Sequence, residues 1–272
     1  MRLRIKFSKT GPMRYISHLD IMRFFQKALK RADADVSMSE GFSPHMLMSF
    51  ALPLSLGMES VGEYFDVDVN SCSSTEKLME DLNRQMCEGC RIFSVKNIPQ
   101  DKANKCMTQV AAADYSVFVK AAVKNSEKPY AAEDYGISGK PDMDVDYHIS
   151  GNCAAGESIG SGTEPDADFL REKAAAFSEL PEIKVLKKTK KGEKEEDIKP
   201  FIYAFDYKED RFELRIGAGS VNHVRCDLVM SRFFEYAGIS EDTLRVDIRR
   251  DDLLLETEKG FAPLDSIGEV RR

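Results

Sequence analysis

The sequence predicts an α+β protein made of two tandem ferredoxin-like (βαββαβ) domains. Three observations predict this fold. Strands that alternate polar and apolar residues open both halves of the chain, each half contains two amphipathic helical segments, and the second half repeats the element order of the first with an additional strand and a long acidic insertion. The predicted N-terminal domain spans residues 1–99, a linker spans 100–112, and the C-terminal domain spans 113–272.

The N-terminal domain opens with "RLRIKF", residues 2–7, whose alternation predicts a half-buried strand. Ser17 can cap the helix that follows, with Asp20 three residues further on as an approximate capping box. That helix has one apolar face and an opposite face rich in Lys and Arg. The remaining predicted elements are strands over 46–54 and 62–69, a helix opened by a capping box from Ser73 to Glu76, and the closing strand "CRIFSVKNI".

The C-terminal domain is predicted from a looser version of the same pattern. Its predicted elements are strands over 114–123, 183–189, 198–207, 211–217 and 244–250, and helices over 166–179 and 224–236. Residues 124–165 are rich in Gly, Ser, Asp and Ala and have little apolar periodicity. Such a segment buries too little surface to offset its ordering entropy, so we expect a mobile insertion. Residues 184–199 are expected to form a charged hairpin arm.

The net charge of −7 is unevenly spread along the chain. Residues 1–50 contain nine Lys and Arg against four Asp and Glu, a net of +5, whereas residues 124–182 contain five against thirteen, a net of −8. Because local charge sets the potential that a partner meets, the acidic total does not exclude an anionic ligand.

The composition indicates a cytosolic protein. The chain has no run of about eighteen apolar residues and its N-terminus lacks the apolar core of a signal peptide, so we expect no contact with a membrane. Six scattered cysteines without a secretory signal are typical of reduced thiols. Cys87 and Cys90 have CxxC spacing, but one pair does not complete a tetrahedral zinc site, and we expect no metal and no cofactor.

Basic and aromatic residues near the N-terminus predict RNA binding. Cations neutralise phosphates and aromatic rings stack on the bases of single-stranded RNA, although a basic helix face can equally be a solvated surface. The predicted nucleic-acid contacts are Arg14, Tyr15, His18, Arg23, Lys27, Lys30, Phe42, Ser43 and His45. His18 and His45 are also candidate catalytic residues, although each can instead serve only the fold.

A glycine-rich stretch supplies a weaker candidate site. Gly217, Gly219 and Ser220 lie between a predicted strand and a predicted helix, where free backbone amides can hold an anion. The alternative is a tight turn without a ligand, because the third glycine of a dinucleotide-binding fingerprint is missing.

Several motifs resemble one bacterial family. They are "RIKFSKTGPMRYISHLD", "GFSPHMLMSFALPLSLGMESVGEYFDVDV", "KPFIYAF" and "GSVNHVRCDLVMSRFF". The chain resembles the uncharacterised radical-SAM-associated family, whose domain occurs alone or behind a radical-SAM enzyme and is often encoded beside a ribonuclease. In that family His45 is typically followed by proline and a basic residue, whereas Met46 and Leu47 stand here. The resemblance implies no established reaction.

Three functions follow as expectations. The leading one is a non-catalytic RNA-binding or RNA-processing accessory protein. The second is a protein-binding partner of a separate radical-SAM enzyme or ribonuclease, docking through residues 42–50. The third is a metal-independent endoribonuclease, a class to which the tandem architecture is similar. It would require His18 and His45 at one phosphate, with Arg14 stabilising the charge that develops there.

Overall fold

One mixed β-sheet runs through both halves of the chain, with helices packed against it. The computed structural model describes residues 1–121, 166–189, 192–220 and 222–271. Within these residues the strands are β1 (Arg2–Lys9), β2 (Met48–Phe50), β3 (Glu59–Asp68), β4 (Ile92–Ile98), β5 (Ala112–Ala121), β6 (Lys184–Thr189), β7 (Gly192–Asp197), β8 (Ile202–Lys208), β9 (Arg211–Gly217), β10 (Leu244–Thr257) and β11 (Gly260–Pro263). The α-helices there are α1 (His18–Arg31), α2 (Thr75–Asn83), α3 (Cys106–Gln109), α4 (Ala167–Ser178) and α5 (Cys226–Ala237). The predicted α+β class is confirmed.

The nine-stranded sheet formed by the described residues has the order β4-β1-β3-β10-β5-β9-β8. Strand β2 pairs with part of β3, and β11 pairs with the end of β10. Strands β6 and β7 form a separate two-stranded hairpin within the predicted charged arm. The predicted strand over 198–207 is correct only from Ile202, where β8 begins, because Lys199–Phe201 form a short 3-10 helix instead.

Helix α1 packs its apolar face onto the first half of the sheet. Ser17 is its N-cap, as predicted, and accepts a hydrogen bond from the Asp20 amide. The Phe25 ring lies 4.6 Å from the Phe7 ring and 4.7 Å from the Phe65 ring, so α1 is fixed over β1 and β3. Aromatic pairs at this spacing add to the stabilisation from apolar burial.

Helix α2 begins one residue later than predicted. Ser74 is its N-cap and accepts from the Lys77 amide, so the predicted capping box at Ser73 is wrong. The helix ends at Asn83, and Met86 therefore lies in the turn that follows rather than on the helix. The helix still buries Leu78 and Leu82, as its apolar periodicity predicts.

The two halves of the sheet meet where β3 and β10 run parallel. Arg250 of β10 is paired in register with Ser60 of β3. Two residues further along β3, a Cβ atom on Gly62 would lie 2.3 Å from the carbonyl oxygen of Asp251. Only glycine permits this approach, because real Cβ atoms do not come so close to backbone.

The charged face of β1 is covered, contrary to the predicted half-buried strand. The Arg4 side chain is 0% exposed. Its guanidinium binds the Asp66 carboxylate, the Gln109 side chain and the Leu264 carbonyl oxygen. The segment predicted as a linker, 100–112, contains α3 and lies on this face together with the 3-10 helix Leu264–Ile267. The proposed domain boundaries stay a prediction.

The predicted mobile insertion, 124–165, lies outside the described residues. Among the residues that are described, none of the helices combines the length and the apolar character needed to cross a bilayer.

Candidate nucleic-acid interface

The outer face of α1 presents three cations to solvent, and we call Arg23, Lys27 and Lys30 the α1 basic face. All three are exposed. Arg23 lies 3.4 Å from the Asp20 carboxylate, an exposed pair that contributes little stability and is easily exchanged for another anion. Lys27 and Lys30 form no ion pair with any residue in the described ranges. Two of the three charges are therefore available to a partner.

Arg14 and Tyr15 form a fixed pair at the start of this surface. The Arg14 guanidinium donates a 2.7 Å hydrogen bond to the Tyr15 hydroxyl and lies 4.9 Å from its ring centroid. That hydrogen bond is the main cause of a raised Arg14 pKa, and two nearby carboxylates, Glu59 at 3.7 Å and Asp247 at 3.8 Å, also raise it. Arg14 is thus already compensated, and its geometry suits it to hold the Tyr15 ring.

Exposed apolar side chains surround this pair. Tyr15 is 65% exposed, and Leu19, in the first turn of α1, is also exposed. Leu56 is exposed on the loop that the Gly57 amide anchors to the Arg14 carbonyl oxygen. Leu19 and Arg23 are four residues apart on the helix, so the exposed Leu19 side chain adjoins the α1 basic face.

His18 packs into the aromatic core below this surface. Its ring is half-buried and lies 5.2 Å from the Phe50 ring, at an interplanar angle of 78°. Edge-to-face packing of this kind is a structural contact. The arrangement favours the structural interpretation of His18.

His45 closes a short hairpin over residues 37–47, which we call the Phe42 hairpin. The His45 Nδ1 atom lies 2.8 Å from the Ser39 hydroxyl, which also accepts from the His45 backbone amide. The Ser39 amide in turn donates to the His45 carbonyl oxygen, and an isolated bridge joins Met38 to Met46. These contacts define the base of the hairpin and leave Nε2 as the ring nitrogen without an observed bond in the described residues.

The tip of the Phe42 hairpin carries an unprotected aromatic ring. Phe42 is fully exposed, and Ser43 beside it is exposed as well. Gly41 has φ +107, a backbone conformation that side-chain-bearing residues rarely adopt. Met38 and Leu47 on the two arms are also exposed, so the hairpin presents three apolar side chains.

His18 and His45 contact different residues. His18 contacts Phe50 at the end of β2, and His45 lies five residues earlier on the same extended segment. At about 3.3 Å per residue, roughly 16 Å of chain separates His45 from Phe50. Within the described residues no contact joins the two imidazoles, and each has a different partner.

Gly217, Gly219 and Ser220 do not lie at a helix N-terminus. Strand β9 ends at Gly217, and α5 begins only at Cys226. Gly219 has φ +100, and a Cβ atom there would lie 2.3 Å from the Val110 carbonyl oxygen. Close backbone packing thus accounts for the glycine, which favours the tight-turn alternative over anion binding.

Sequence reasoning missed a group of aromatic residues beside arginines in the second half. The Arg249 guanidinium lies 5.5 Å from the Phe118 ring, and Arg215 lies 5.8 Å from the Phe261 ring, which also packs against Tyr203. Both arginines bind carboxylates on the same face, so this surface carries balanced charge. The alternation of polar and apolar residues along β5 and β10 could have indicated this surface. The pairing of β10 with β11 has no signal in the sequence.

Comparison with known proteins adds a family but no activity. None of the curated proteins matches this chain. A family model described as an uncharacterized protein conserved in bacteria, DUF2344, matches residues 2–226. The expected association with radical-SAM enzymes stays a prediction. Because the match covers most of the sequence, the chain belongs to the DUF2344 family of uncharacterized conserved bacterial proteins.

Proposed function

We propose that this protein binds single-stranded RNA as a non-catalytic accessory factor. One observation carries the proposal: Lys27 and Lys30, exposed and without an ion pair among the described residues, lie on one helix face with Arg23, and the exposed Tyr15 ring comes just before that helix in the chain. RNA phosphates would bind the three cations in place of water, and an RNA base would stack on the Tyr15 ring.

The contacts around Tyr15 support a recognition role. A ring held by Arg14 loses little rotamer freedom when a base stacks on it, so less of the stacking energy is spent on ordering. Phe42 and Ser43 on the Phe42 hairpin offer a further stacking ring and a hydroxyl. Stacking tolerates any base, so we expect weak sequence preference.

Fluorescence anisotropy with labelled single-stranded RNA tests the proposal. The triple variant Arg23→Glu, Lys27→Glu, Lys30→Glu should abolish binding at low salt. The matched control Lys77→Glu, Lys102→Glu, Lys105→Glu changes the charge equally at other exposed positions and should retain most of the affinity. Tyr15→Ala should weaken binding, whereas Tyr15→Phe, which loses only the hydroxyl, should weaken it less.

Two results would contradict this function. One is an absence of binding by the wild-type chain at low salt. The other is an equal loss of affinity in the test and control triple variants, because bulk charge would then explain the binding. Gel analysis of the RNA in EDTA completes the test: intact RNA is expected, and cleavage would contradict the non-catalytic role.

A second candidate function rests on the Phe42 hairpin. Its fully exposed ring, with Met38 and Leu47 alongside, is an apolar surface of the kind that anchors protein interfaces. The partner would be a separate radical-SAM enzyme or ribonuclease. Co-purification of such an enzyme with the wild-type chain, lost in Phe42→Ser and retained in Ser43→Ala, is the expected outcome. Equal capture by both variants would contradict it.

The endoribonuclease expectation receives no support from the geometry. It needs two imidazoles within hydrogen-bond reach of one phosphate. His18 packs on Phe50, whereas His45 is bonded to Ser39, and no contact between the two imidazoles is observed in the described residues. We therefore do not propose this activity.

For the fold, we propose that the two halves are ferredoxin-like units. In the first half the antiparallel order β4-β1-β3-β2 supports this, and in the second half the order β10-β5-β9-β8 does. Each half also has one helix between its first two sheet strands and one before its last. The β6–β7 hairpin would then be the addition to the second unit.

A further inference from the structure

A CxxC turn follows α2 and carries two thiols on its first and last residues. The Cys90 amide donates to the Cys87 carbonyl oxygen at 3.1 Å, and Gly89 between them has φ +83. The Cα atoms at the ends of such a turn lie within about 7 Å of each other. Cys87 is exposed, whereas Cys90 is only 6% exposed. Burial and the neighbouring Cys87 thiol raise the pKa of Cys90 to about 12.

Each of the two thiols contacts one methionine thioether, and we call these four side chains the sulfur cluster. The Cys87 thiol donates to Met13 Sδ at 3.5 Å, and the Cys90 thiol donates to Met86 Sδ at 3.4 Å. Met13 is buried and comes from the 3-10 helix before α1, 74 positions from Cys87. Each cysteine sulfur thus already touches one thioether.

The backbone fixes the two segments that carry these sulfurs. The Thr10 amide donates to the Gly89 carbonyl oxygen at 2.8 Å, and the Ser8 amide donates to the Arg91 carbonyl oxygen at 2.9 Å. A Cβ atom on Gly89 would lie 2.2 Å from the Thr10 carbonyl oxygen. The segment leading to Met13 therefore lies against the turn itself, and the cluster does not depend on a loose loop.

We propose that Met13, Met86, Cys87 and Cys90 form a binding site for a soft monovalent metal ion, Cu(I). Thiolates and thioethers are the soft ligands that select Cu(I). Zinc requires further nitrogen, thiolate or carboxylate ligands, and the described residues contain no group of three His, Cys, Asp or Glu side chains that would supply them.

Binding would form bonds from the metal to both cysteine sulfurs and release the two thiol protons. The site then carries one net negative charge, since two thiolates surround one Cu(I). Exposed Cys87 gives the ion a point of entry, and buried Cys90 and Met13 shield it from water afterwards.

Anaerobic titration of the reduced full chain with Cu(I), against a coloured Cu(I) chelator, tests the site. The wild-type chain should withdraw one Cu(I) from the chelator. Cys87→Ser and Cys90→Ser should each lower the affinity by about 100-fold or more, and Met13→Leu by about 10-fold, because a soft ligand is lost in each case. Cys72→Ser and Met79→Leu are the matched controls, since both residues pack on the same core outside the cluster, and they should bind as the wild type does.

Circular dichroism of every variant separates lost ligands from lost folding. A wild-type chain that leaves the chelator fully loaded would overturn the proposal. So would a folded Cys87→Ser, Cys90→Ser double variant that binds as tightly as the wild type. Zinc that competes on equal terms with Cu(I) would overturn the choice of metal, and unchanged affinity in both Met13→Leu and Met86→Leu would overturn the role of the thioethers.

Discussion

The Arg250 guanidinium donates two hydrogen bonds of 2.7 Å to the Glu63 carboxylate, and both side chains are buried. Glu63 belongs to β3 in the first half, and Arg250 belongs to β10, the strand of the second half that pairs with β3. Arg250 also donates to the Leu52 carbonyl oxygen. A bidentate pair of this geometry fixes the position of one half of the sheet on the other.

Removing one partner of this pair should be costly. Arg250→Ala leaves the Glu63 carboxylate buried without its cation, which we expect to lower the free energy of unfolding by about 3–5 kcal/mol. The control Arg245→Ala removes an exposed arginine from its pair with Asp247 and should cost less than about 1 kcal/mol. Urea unfolding measures both, and equal losses would show that the buried pair has no special role.

Substitution of Gly62 should destabilise the protein nearly as much as Arg250→Ala does, but for a different reason. In Gly62→Ala the new Cβ would meet the Asp251 carbonyl oxygen at 2.3 Å, so β3 and β10 must separate. We expect a loss of about 3 kcal/mol, within the range for overpacking. Gly11→Ala is the control, because no atom lies within 4 Å and only its φ of +55 costs energy, about 1 kcal/mol. Similar urea midpoints for the two variants would contradict the clash.

Periodicity predicted the elements well because it reports which face of each element is buried. The α1 apolar face and its N-cap at Ser17 follow from local spacing alone. Strand β11 and the one-turn helix α3 escaped prediction because they are too short to show a period. The charges of β1 indicated a solvated face. Arg4 is nevertheless buried, and it donates hydrogen bonds to Gln109 and Leu264, which are more than a hundred positions away in the chain.

The candidate sites also differ in whether the local sequence predicts them. Exposure of Arg23 and Lys27 follows from the amphipathic pattern of one helix. The contact between Met13 and Cys87 joins segments 74 positions apart, and nothing in either segment indicates the other. Contacts of this kind depend on how the elements pack, which local sequence does not encode.

Lys9 should make stability depend on pH at the alkaline end. Burial is the main cause that lowers its pKa below the usual 10.5, and Arg250 lowers it further, although Glu63 opposes them. Between the lowered folded-state pKa and 10.5 the unfolded chain binds more protons than the folded chain, so the Lys9 contribution to stability rises with pH.

Urea unfolding of wild type and Lys9→Met at several pH values tests this sign. The wild type should gain stability relative to the variant as pH rises toward 10.5, since titration of all other groups cancels in the difference. A difference that is independent of pH, or that moves in favour of the variant, would contradict the lowered pKa.

The salt dependence of RNA binding should separate the α1 basic face from Tyr15. Each phosphate neutralised on a single strand contributes about 0.7 to the slope of log K against log salt, so Arg23→Gln, Lys27→Gln, Lys30→Gln should reduce that slope by about 2. The control Lys77→Gln, Lys102→Gln, Lys105→Gln should leave it unchanged. Tyr15→Ala should weaken binding by about 1–3 kcal/mol at every salt concentration, because stacking releases no counterions. If Tyr15→Ala lowered the slope by about 0.7, the amount for one cation, Tyr15 would be acting by positioning Arg14 against a phosphate.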